Sequence, residues 1–211
     1  MGYAVRDYVA EDEPSWLRCR VLAFLDTAMY DSVFAAKPAV SGAELVAVDG
    51  GVVVGILDLA FDGALATIET VAVHPDHRYR GIGGALLARA RSRAAGLGAT
   101  TLDAWTRDDP PTLRWYRAMG FSESEHYVHV IADHHTSADE PGRAALPRPG
   151  LRLAKAFLHA DLADEERLRG EFARVHVCRR FAMPVTSAVE LGRRGDDVDH
   201  RAVAQDGHRE R

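Results

Sequence analysis

The sequence of 211 residues lacks the features that mark several classes of protein. Its two cysteines, Cys19 and Cys178, form no Cys-x-x-Cys pair, which excludes a disulfide framework and a cysteine-based zinc cluster. Its longest central apolar run, over residues 52–57, is far shorter than the roughly 20 residues of a membrane-spanning helix. No basic segment followed by an apolar stretch opens the chain, so we expect no secretory signal. These absences predict a reduced, cytoplasmic protein without a membrane partner.

An excess of positive charge is also absent. The formal net charge is −5 and the sequence pI is about 6.0, which argues against a nucleic-acid partner. Only Lys37 and Lys155 are lysines among the 26 basic residues, so arginine carries almost all of the positive charge. An arginine fork can bind a phosphate through two hydrogen bonds, which gives individual arginines local importance.

Apolar spacing and turn residues predict a mixed order of strands and helices. A hairpin is expected at Asp49-Gly50-Gly51, and a second turn at Asp62-Gly63 makes three successive antiparallel strands. The predicted strands cover residues 3–9, 44–48, 52–59, 65–73, 100–106, 121–130 and 155–160. The predicted helices cover residues 13–27, 30–36, 84–97, 111–119 and 164–177.

This order of elements predicts one domain over residues 1–185. Its core covers residues 3–130, and the proline- and glycine-containing stretch 132–150 is an irregular excursion. A last strand and helix over residues 153–183 complete the domain. Residues 186–211 are polar without apolar periodicity and are expected to form a flexible tail.

The loop between the strand 65–73 and the following helix is the segment with the clearest chemistry. Unpaired N–H groups at a helix N-terminus bind anions, and the helix dipole adds a favourable potential. Glycines without Cβ atoms, at positions 81, 83 and 84, let a phosphate approach the backbone. Arg78 and Arg80 can then close over the same anion with charge-assisted hydrogen bonds.

Two phosphate-binding motifs fit this loop poorly. A dinucleotide fingerprint needs a third small residue where Leu86 stands and a turn between parallel strands, although Asp103 lies where a ribose-binding acid is expected. A Walker loop needs Gly-Lys-Ser/Thr, which is missing. An ordinary glycine-containing loop remains the structural alternative.

Two segments resemble the motifs of the GNAT superfamily of N-acetyltransferases. Arg78-Tyr79-Arg80-Gly81-Ile82-Gly83 is similar to its Gln/Arg-x-x-Gly-x-Gly/Ala signature, and Val71-Ala72-Val73-His74-Pro75 to the strand before it. Trp115-Tyr116-Arg117-Ala118-Met119-Gly120-Phe121 is similar to its second motif. The resemblance covers roughly residues 3–130. It implies an α/β (α+β) fold with a mixed, mostly antiparallel twisted sheet flanked by helices and splayed between the fourth and fifth strands.

The resemblance also implies acetyl-CoA, or a related acyl-CoA, as acyl donor. The pyrophosphate would bind the backbone of residues 78–84, and the pantetheine arm would pair with strand residues 69–73. Asp109 stands where the family often has an asparagine, and a carboxylate cannot donate the hydrogen bond of an amide. The expected cofactor-binding residues are Val71, Ala72, Val73, Arg78, Tyr79, Arg80, Gly81, Ile82, Gly83, Gly84, Ala85, Asp109 and Tyr116.

Two catalytic residues follow from the same resemblance and from the chemistry of amine acetylation. Tyr116 is the candidate general acid, because the family places this hydroxyl beside the CoA sulfur, although an aromatic anchor for the helix is an equal alternative. Glu69 is the candidate base, with partial burial expected beside Val71, whose N–H is the expected oxyanion donor. A surface carboxylate or a cross-strand partner of arginine is the alternative role of Glu69.

The remaining chemically active residues are weaker candidates. His74, Asp76 and His77 are expected in a solvated loop, and His134-His135 on the surface, so we expect no metal site. His176 and Cys178 are expected to be a buried structural pair, and Trp105 either lines the acceptor site or fills the core.

The acceptor is less determined than the donor. Residues 7–31 carry six acidic side chains against two arginines, which suits a cationic amine, although solvated helix faces explain them equally well. We expect acetylation of a small-molecule amine. Acetylation of a protein amine and a non-catalytic acyl-CoA-binding module are the alternatives, and a homodimer is compatible with the resemblance.

Overall fold

The computed structural model describes residues 2–146 and 148–185 and contains one eight-stranded sheet. The strands are hydrogen-bonded in the order β1-β2-β3-β4-β5-β8-β6-β7. They comprise β1 (Ala4–Asp7), β2 (Ala43–Asp49), β3 (Val52–Asp62), β4 (Leu65–Val73), β5 (Thr101–Thr106), β6 (Ser122–Asp133), β7 (Lys155–Ala160) and β8 (Val175–Pro184). The helices are α1 (Glu13–Phe24), α2 (Ile82–Gly96), α3 (Pro110–Ala118), α4 (Glu140–Ala144) and α5 (Glu165–Glu171).

The first half of the sheet has the predicted antiparallel order. Gly50 and Gly51 both adopt positive φ, at 59° and 82°, as a tight turn between β2 and β3 requires. β2 pairs with β3 and β3 with β4, all antiparallel. The predicted mixed, mostly antiparallel sheet is confirmed, with β4 and β5 as its parallel neighbours.

Helices cover both faces of this sheet. On one face α2 and α3 bury Leu86, Ala90 and Leu113 against apolar residues of the strands. On the opposite face α1 buries Trp16 and Cys19 against Val46 and Ile56. We name these the α2 face and the α1 face.

The C-terminal third departs from the prediction. The predicted helix over residues 164–177 ends at Glu171, and residues 175–184 form the strand β8, inserted between β5 and β6. Leu168, Phe172 and Val175 were expected on one helix face, and they do share one buried cluster, but from a helix, a connecting residue and a strand. The predicted strand at residues 155–160 is therefore the sheet edge and not the last strand.

Other boundaries moved less. Residues 30–36 form turns and bends rather than a helix, because buried Arg20 binds the Ser32 carbonyl and hydroxyl and fixes this segment against α1. The predicted excursion 132–150 contains the end of β6 and the short helix α4. The expected tail 186–211 lies outside the described residues. Within the described ranges, no helix is long and apolar enough to cross a membrane.

Candidate functional site

The strands β4 and β5 separate halfway along their length. They pair from Leu65–Thr101 to Ile68–Ala104, and no pair follows. A bulge on β4 lies at the same point, because Ile68 pairs with Leu59 and Thr70 with Asp58, which leaves Glu69 extra. The bulge reverses the side chains of β4, so that Val71 and Val73 contact the α2 face while Ala72 packs on the α1 face. The predicted gap between the fourth and fifth strands is therefore present, and Glu69 stands at its start.

The loop that follows β4 presents free backbone donors. Within the described part of the chain, the N–H groups of residues 79–84 make no hydrogen bond, and α2 has no side-chain cap. Tyr79 and Gly81 have φ of 61° and 79°, and Tyr79 is the single non-glycine residue with positive φ among those described. Such consecutive unpaired amides at a helix start form an anion-binding concavity. The helix begins at Ile82, two residues earlier than predicted, which places the glycines in its first turn.

A cavity of about 560 Å³ lies beside this loop and the free half of β4. Ten of the predicted cofactor-binding residues line it, namely Val71, Ala72, Val73, Arg78, Tyr79, Gly81, Ile82, Gly83, Gly84 and Asp109. The end of α1 adds Ala23 and Phe24, which the sequence did not indicate, and α3 adds Trp115. A Cβ on Gly83 would approach the Trp115 Nε1 to 3.2 Å, so any larger residue would require the Trp115 ring to shift.

The two arginines of the loop point in different directions. The Arg78 guanidinium lines the cavity and donates to the Ala23 carbonyl at 2.9 Å. Arg80 instead binds His77 Nδ1 at 2.8 Å and the Asp49 carboxylate at 3.4 Å. The expectation that both close over one anion is wrong for Arg80 in this conformation, because Asp49 on the β2–β3 turn attracts its charge.

Asp109 has a structural role in addition to its place in the cavity wall. Its carboxylate accepts the Thr112 N–H at 3.2 Å and the Thr112 hydroxyl at 2.6 Å, which caps α3. An asparagine oxygen would serve the same cap. The departure from the family pattern at this position therefore preserves the helix start.

Tyr116 lies in the core rather than in the cavity wall. Its ring stacks on Phe181 at 5.0 Å and meets Phe121 edge-on at 5.2 Å. Burial raises the pKa of its phenol well above the ordinary value. Its hydroxyl has no hydrogen-bond partner among residues 2–146 and 148–185. The ring thus anchors α3, and the hydroxyl keeps its proton.

Glu69 is exposed, contrary to the expected partial burial, because the bulge turns it out of the sheet. Asp103, one position before the last β4–β5 pair, is buried and bound by Thr67 and Arg180, each at 2.6 Å. That engagement gives Asp103 a structural role between strands. Glu69 makes no ion pair within the described ranges and is free to meet a ligand.

Sequence reasoning missed a group of rings on the α1 face. Trp105 of β5 is 38% exposed and contacts Tyr127 at 5.1 Å, which excludes the core-filling role. Tyr127 contacts His159, and His129 contacts His159 and Phe157, all with ring centroids within 5 Å. We call these five rings the ring surface. Its sequence signal is the alternation Tyr-Val-His in β6 and Phe-Leu-His in β7.

Arg107 and His129 lie buried at the far end of the ring surface. Arg107 donates from Nε to His129 Nδ1 at 3.2 Å and from a terminal nitrogen to the Ala28 carbonyl. Because Nδ1 accepts, the neutral His129 ring carries its proton on Nε2. Burial and the Arg107 charge lower the pKa of His129 to about 4.

The other candidates have ordinary roles. His176 binds the Asp108 carboxylate at 3.0 Å rather than Cys178. Cys178 is buried, so the two residues have separate structural roles. Asp133, His134 and His135 bring three potential metal-ligand atoms within 4.8 Å, but Lys155 lies 3.7 Å from Asp133 and opposes a cation there. His74 Nδ1 accepts the Asp76 N–H in the loop after β4.

The acidic residues of the first segment are mostly neutralised. Asp7 pairs with Arg93, Asp12 with Arg6, and Asp31 with Lys155 and Arg174. Glu13 accepts the backbone N–H of Lys37. Four of the six acidic residues that suggested a cationic acceptor are therefore engaged in internal contacts, whereas Glu11 makes none among the described residues and Asp26 lines the cavity.

Solved structures of similar fold include a protein N-acetyltransferase and two further GNAT proteins. The ribosomal-protein-S18-alanine N-acetyltransferase from Escherichia coli is 16% identical, with 88% of this chain and 96% of that chain covered at a TM-score of 0.55. A GNAT family acetyltransferase from Elizabethkingia anophelis with acetyl-CoA bound is 17% identical. The match covers 87% of this chain and 98% of that chain at a TM-score of 0.50. A tandem GNAT protein from the clavulanic acid biosynthesis pathway is 28% identical. The match covers 69% of this chain and 52% of that chain at a TM-score of 0.55.

The family comparison agrees with this fold. Residues 41–123 match the family model described as an acetyltransferase (GNAT) domain. That range extends from β2 through the glycine loop and the cavity to the start of β6. The gap between β4 and β5 and the free amides of the loop lie within this range, so residues 41–123 are similar in sequence and fold to a GNAT acetyltransferase domain.

Proposed function

We propose that the protein transfers an acetyl group from acetyl-CoA to a primary amine of a small molecule by direct attack in a ternary complex. The observation that carries this proposal is the meeting of the β4–β5 gap and the free amides of residues 79–84 at one cavity. β4 and β5 are parallel, as a dinucleotide turn requires, but a dinucleotide fingerprint also needs a third small residue where the buried Leu86 stands in α2.

The residues of the cavity fit an acyl-CoA. The amides of the loop and the positive end of α2 suit a pyrophosphate, and Arg78 adds a charge. The free edge of β4 at Val71–Val73 offers backbone groups to the amides of a pantetheine arm. When bound, acetyl-CoA supplies the acetyl group as a thioester, whose C–S bond breaks as the amine nitrogen bonds to the carbonyl carbon.

The chain supplies proton transfer and orientation. Glu69 at the gap takes the proton of the incoming ammonium, directly or through a water molecule. The N–H of Val71 faces the developing oxyanion. Tyr116, whose ring lies in the core beside the cavity residue Trp115 and whose proton is retained by burial, is the candidate acid for the departing thiolate.

The proposal is tested by measuring thiol release from acetyl-CoA with a panel of primary amines and identifying the products by mass. We expect one thiol per acetylated amine and intersecting initial-velocity lines, as a ternary complex requires. Parallel lines would instead indicate an acetyl-enzyme. Tight binding of CoA with no product from any amine would favour the non-catalytic module, and a preference for peptide amines would favour the protein acetyltransferase.

A further inference from the structure

The ring surface begins where β4 and β5 separate. Trp105 is the first residue of β5 after the last pair with β4, and Glu69 is the first such residue of β4. The side chains of Thr67 and Asp103, two residues earlier on each strand, touch at 2.6 Å. Because side chains alternate along β5, Trp105 continues on this same α1 face, and Glu69 stands beside it as the exposed bulge residue of β4. An amine at Glu69 would therefore have its carbon skeleton next to the Trp105 ring.

Two buried donors lie at the other end of the ring surface. Arg107 is 7% exposed and His129 9% exposed. The Nε2 of His129 has no hydrogen-bond partner within the residues that the structure describes. Arg107 has no carboxylate within ion-pair distance in the same ranges. A buried donor without a partner is costly, and an anionic oxygen group from a ligand would satisfy His129 Nε2 and offset the charge of Arg107.

The neighbouring charges are already paired. Arg174 and Lys155 bind Asp31, while His176 and Arg169 bind Asp108. Arg107 is thus the cation of this cluster without an acidic partner of its own. The charge that would complement it is one carboxylate.

We propose that the acceptor is a primary amine on a methylene group attached to an aromatic ring that bears a carboxylate at its opposite end. The amine lies at Glu69, the ring packs on Trp105 and Tyr127, and the carboxylate binds Arg107 and His129. Arg107 follows Trp105 by two residues, which is about 7 Å along an extended chain. This step matches the span from the amine to the carboxylate across one substituted benzene ring. This inference rests on the proposed function, since the amine must meet an acyl donor at the gap.

Three probe amines separate the parts of this inference. The probe 4-(aminomethyl)benzoate has the amine, the ring and the carboxylate. Benzylamine lacks the carboxylate, and trans-4-(aminomethyl)cyclohexanecarboxylate lacks the aromatic ring. We expect kcat/KM for the first probe to exceed that for benzylamine about tenfold to hundredfold, and that for the cyclohexane analogue about threefold to tenfold.

Variants assign these ratios to residues. Arg107→Met should reduce the ratio of kcat/KM for 4-(aminomethyl)benzoate to kcat/KM for benzylamine to about one. Trp105→Leu should reduce the ratio of kcat/KM for 4-(aminomethyl)benzoate to that for the cyclohexane analogue to about one. Arg89→Met on the exposed side of α2 is the matched control and should keep both wild-type ratios. Each ratio is taken within one variant, so a general loss of folded protein cancels.

The inference would be overturned if, in the wild type, kcat/KM for 4-(aminomethyl)benzoate exceeded that for benzylamine by less than twofold. It would also be overturned if Arg107→Met left this ratio unchanged, whether or not the variant folds well. If no amine is acetylated at all, the proposed function fails, and titration of the probes into the CoA-saturated wild-type protein decides the inference separately. Tighter binding of 4-(aminomethyl)benzoate than of benzylamine would then still support the subsite, and equal binding would reject it.

Discussion

The two sides of the β4–β5 gap present different parts of the polypeptide to the proposed donor and the proposed acceptor. On the donor side, free amides of consecutive residues and the glycines of one loop line the cavity. On the acceptor side, the contacts come from side chains of four strands, as the rings of Trp105, Tyr127 and Phe157 illustrate. Backbone recognition depends on conformation, whereas side-chain recognition depends on residue identity. We therefore expect backbone substitutions to alter donor binding and side-chain substitutions to alter acceptor choice.

The largest effect is expected from Gly81→Val. Gly81 has φ of 79°, which a β-branched residue adopts only with strain, and its new Cβ would stand at the phosphate-binding loop. CoA affinity should fall by about a hundredfold or more, measured by calorimetric titration. Gly98→Val is the matched control, because Gly98 has φ of 86° with no heavy atom within 4 Å of a new Cβ. If Gly98→Val weakened CoA binding equally, strain alone would explain the loss.

Tyr116→Phe tests whether the donor side also needs a side chain. The hydroxyl has no partner among the described residues, so the substitution should leave the melting temperature nearly unchanged. If the phenol protonates the thiolate, kcat should fall about tenfold to a hundredfold at constant KM for acetyl-CoA. Wild-type turnover in the folded variant would reduce Tyr116 to an anchor of α3.

The acceptor side should make stability depend on pH through His129. Its folded pKa of about 4 lies below the ordinary 6.5, so the stabilisation is present above pH 6.5 and is lost as the pH falls toward 4. Urea unfolding should show His129→Gln losing less stability than the wild type over this range, by up to about 1.4 kcal/mol per pH unit. His135→Gln, at an exposed imidazole, should retain the wild-type slope. Identical slopes for all three proteins would contradict the burial of a neutral His129.

The smallest effect is expected from the cap of α3. Asp109→Ala removes the acceptor of the Thr112 N–H and should lower the free energy of unfolding by about 1 kcal/mol. Asp109→Asn keeps a cap oxygen and should be near wild type. A loss of stability as large in the asparagine variant would show that the carboxylate charge, rather than the cap, is what matters.

The same contrast explains which features could be predicted from the sequence. The glycine loop and the β2–β3 hairpin are local, so short patterns at residues 49–51 and 78–84 were enough to predict them. The strand β8 was missed because Leu168, Phe172 and Val175 have a helix-like spacing, and its alternation of Val175 and Val177 was absorbed into that helix. The ring surface was missed because it depends on the pairing of β6 with β7, between residues as distant as His129 and His159.

The most direct test of this division is a two-substrate kinetic matrix in which acetyl-CoA and 4-(aminomethyl)benzoate are varied together. It is measured for the wild type, Gly81→Ala and Arg107→Met. We predict that Gly81→Ala raises KM for acetyl-CoA and leaves KM for the amine within about twofold, while Arg107→Met does the reverse. A rise of both KM values by the same factor in either variant would contradict the account.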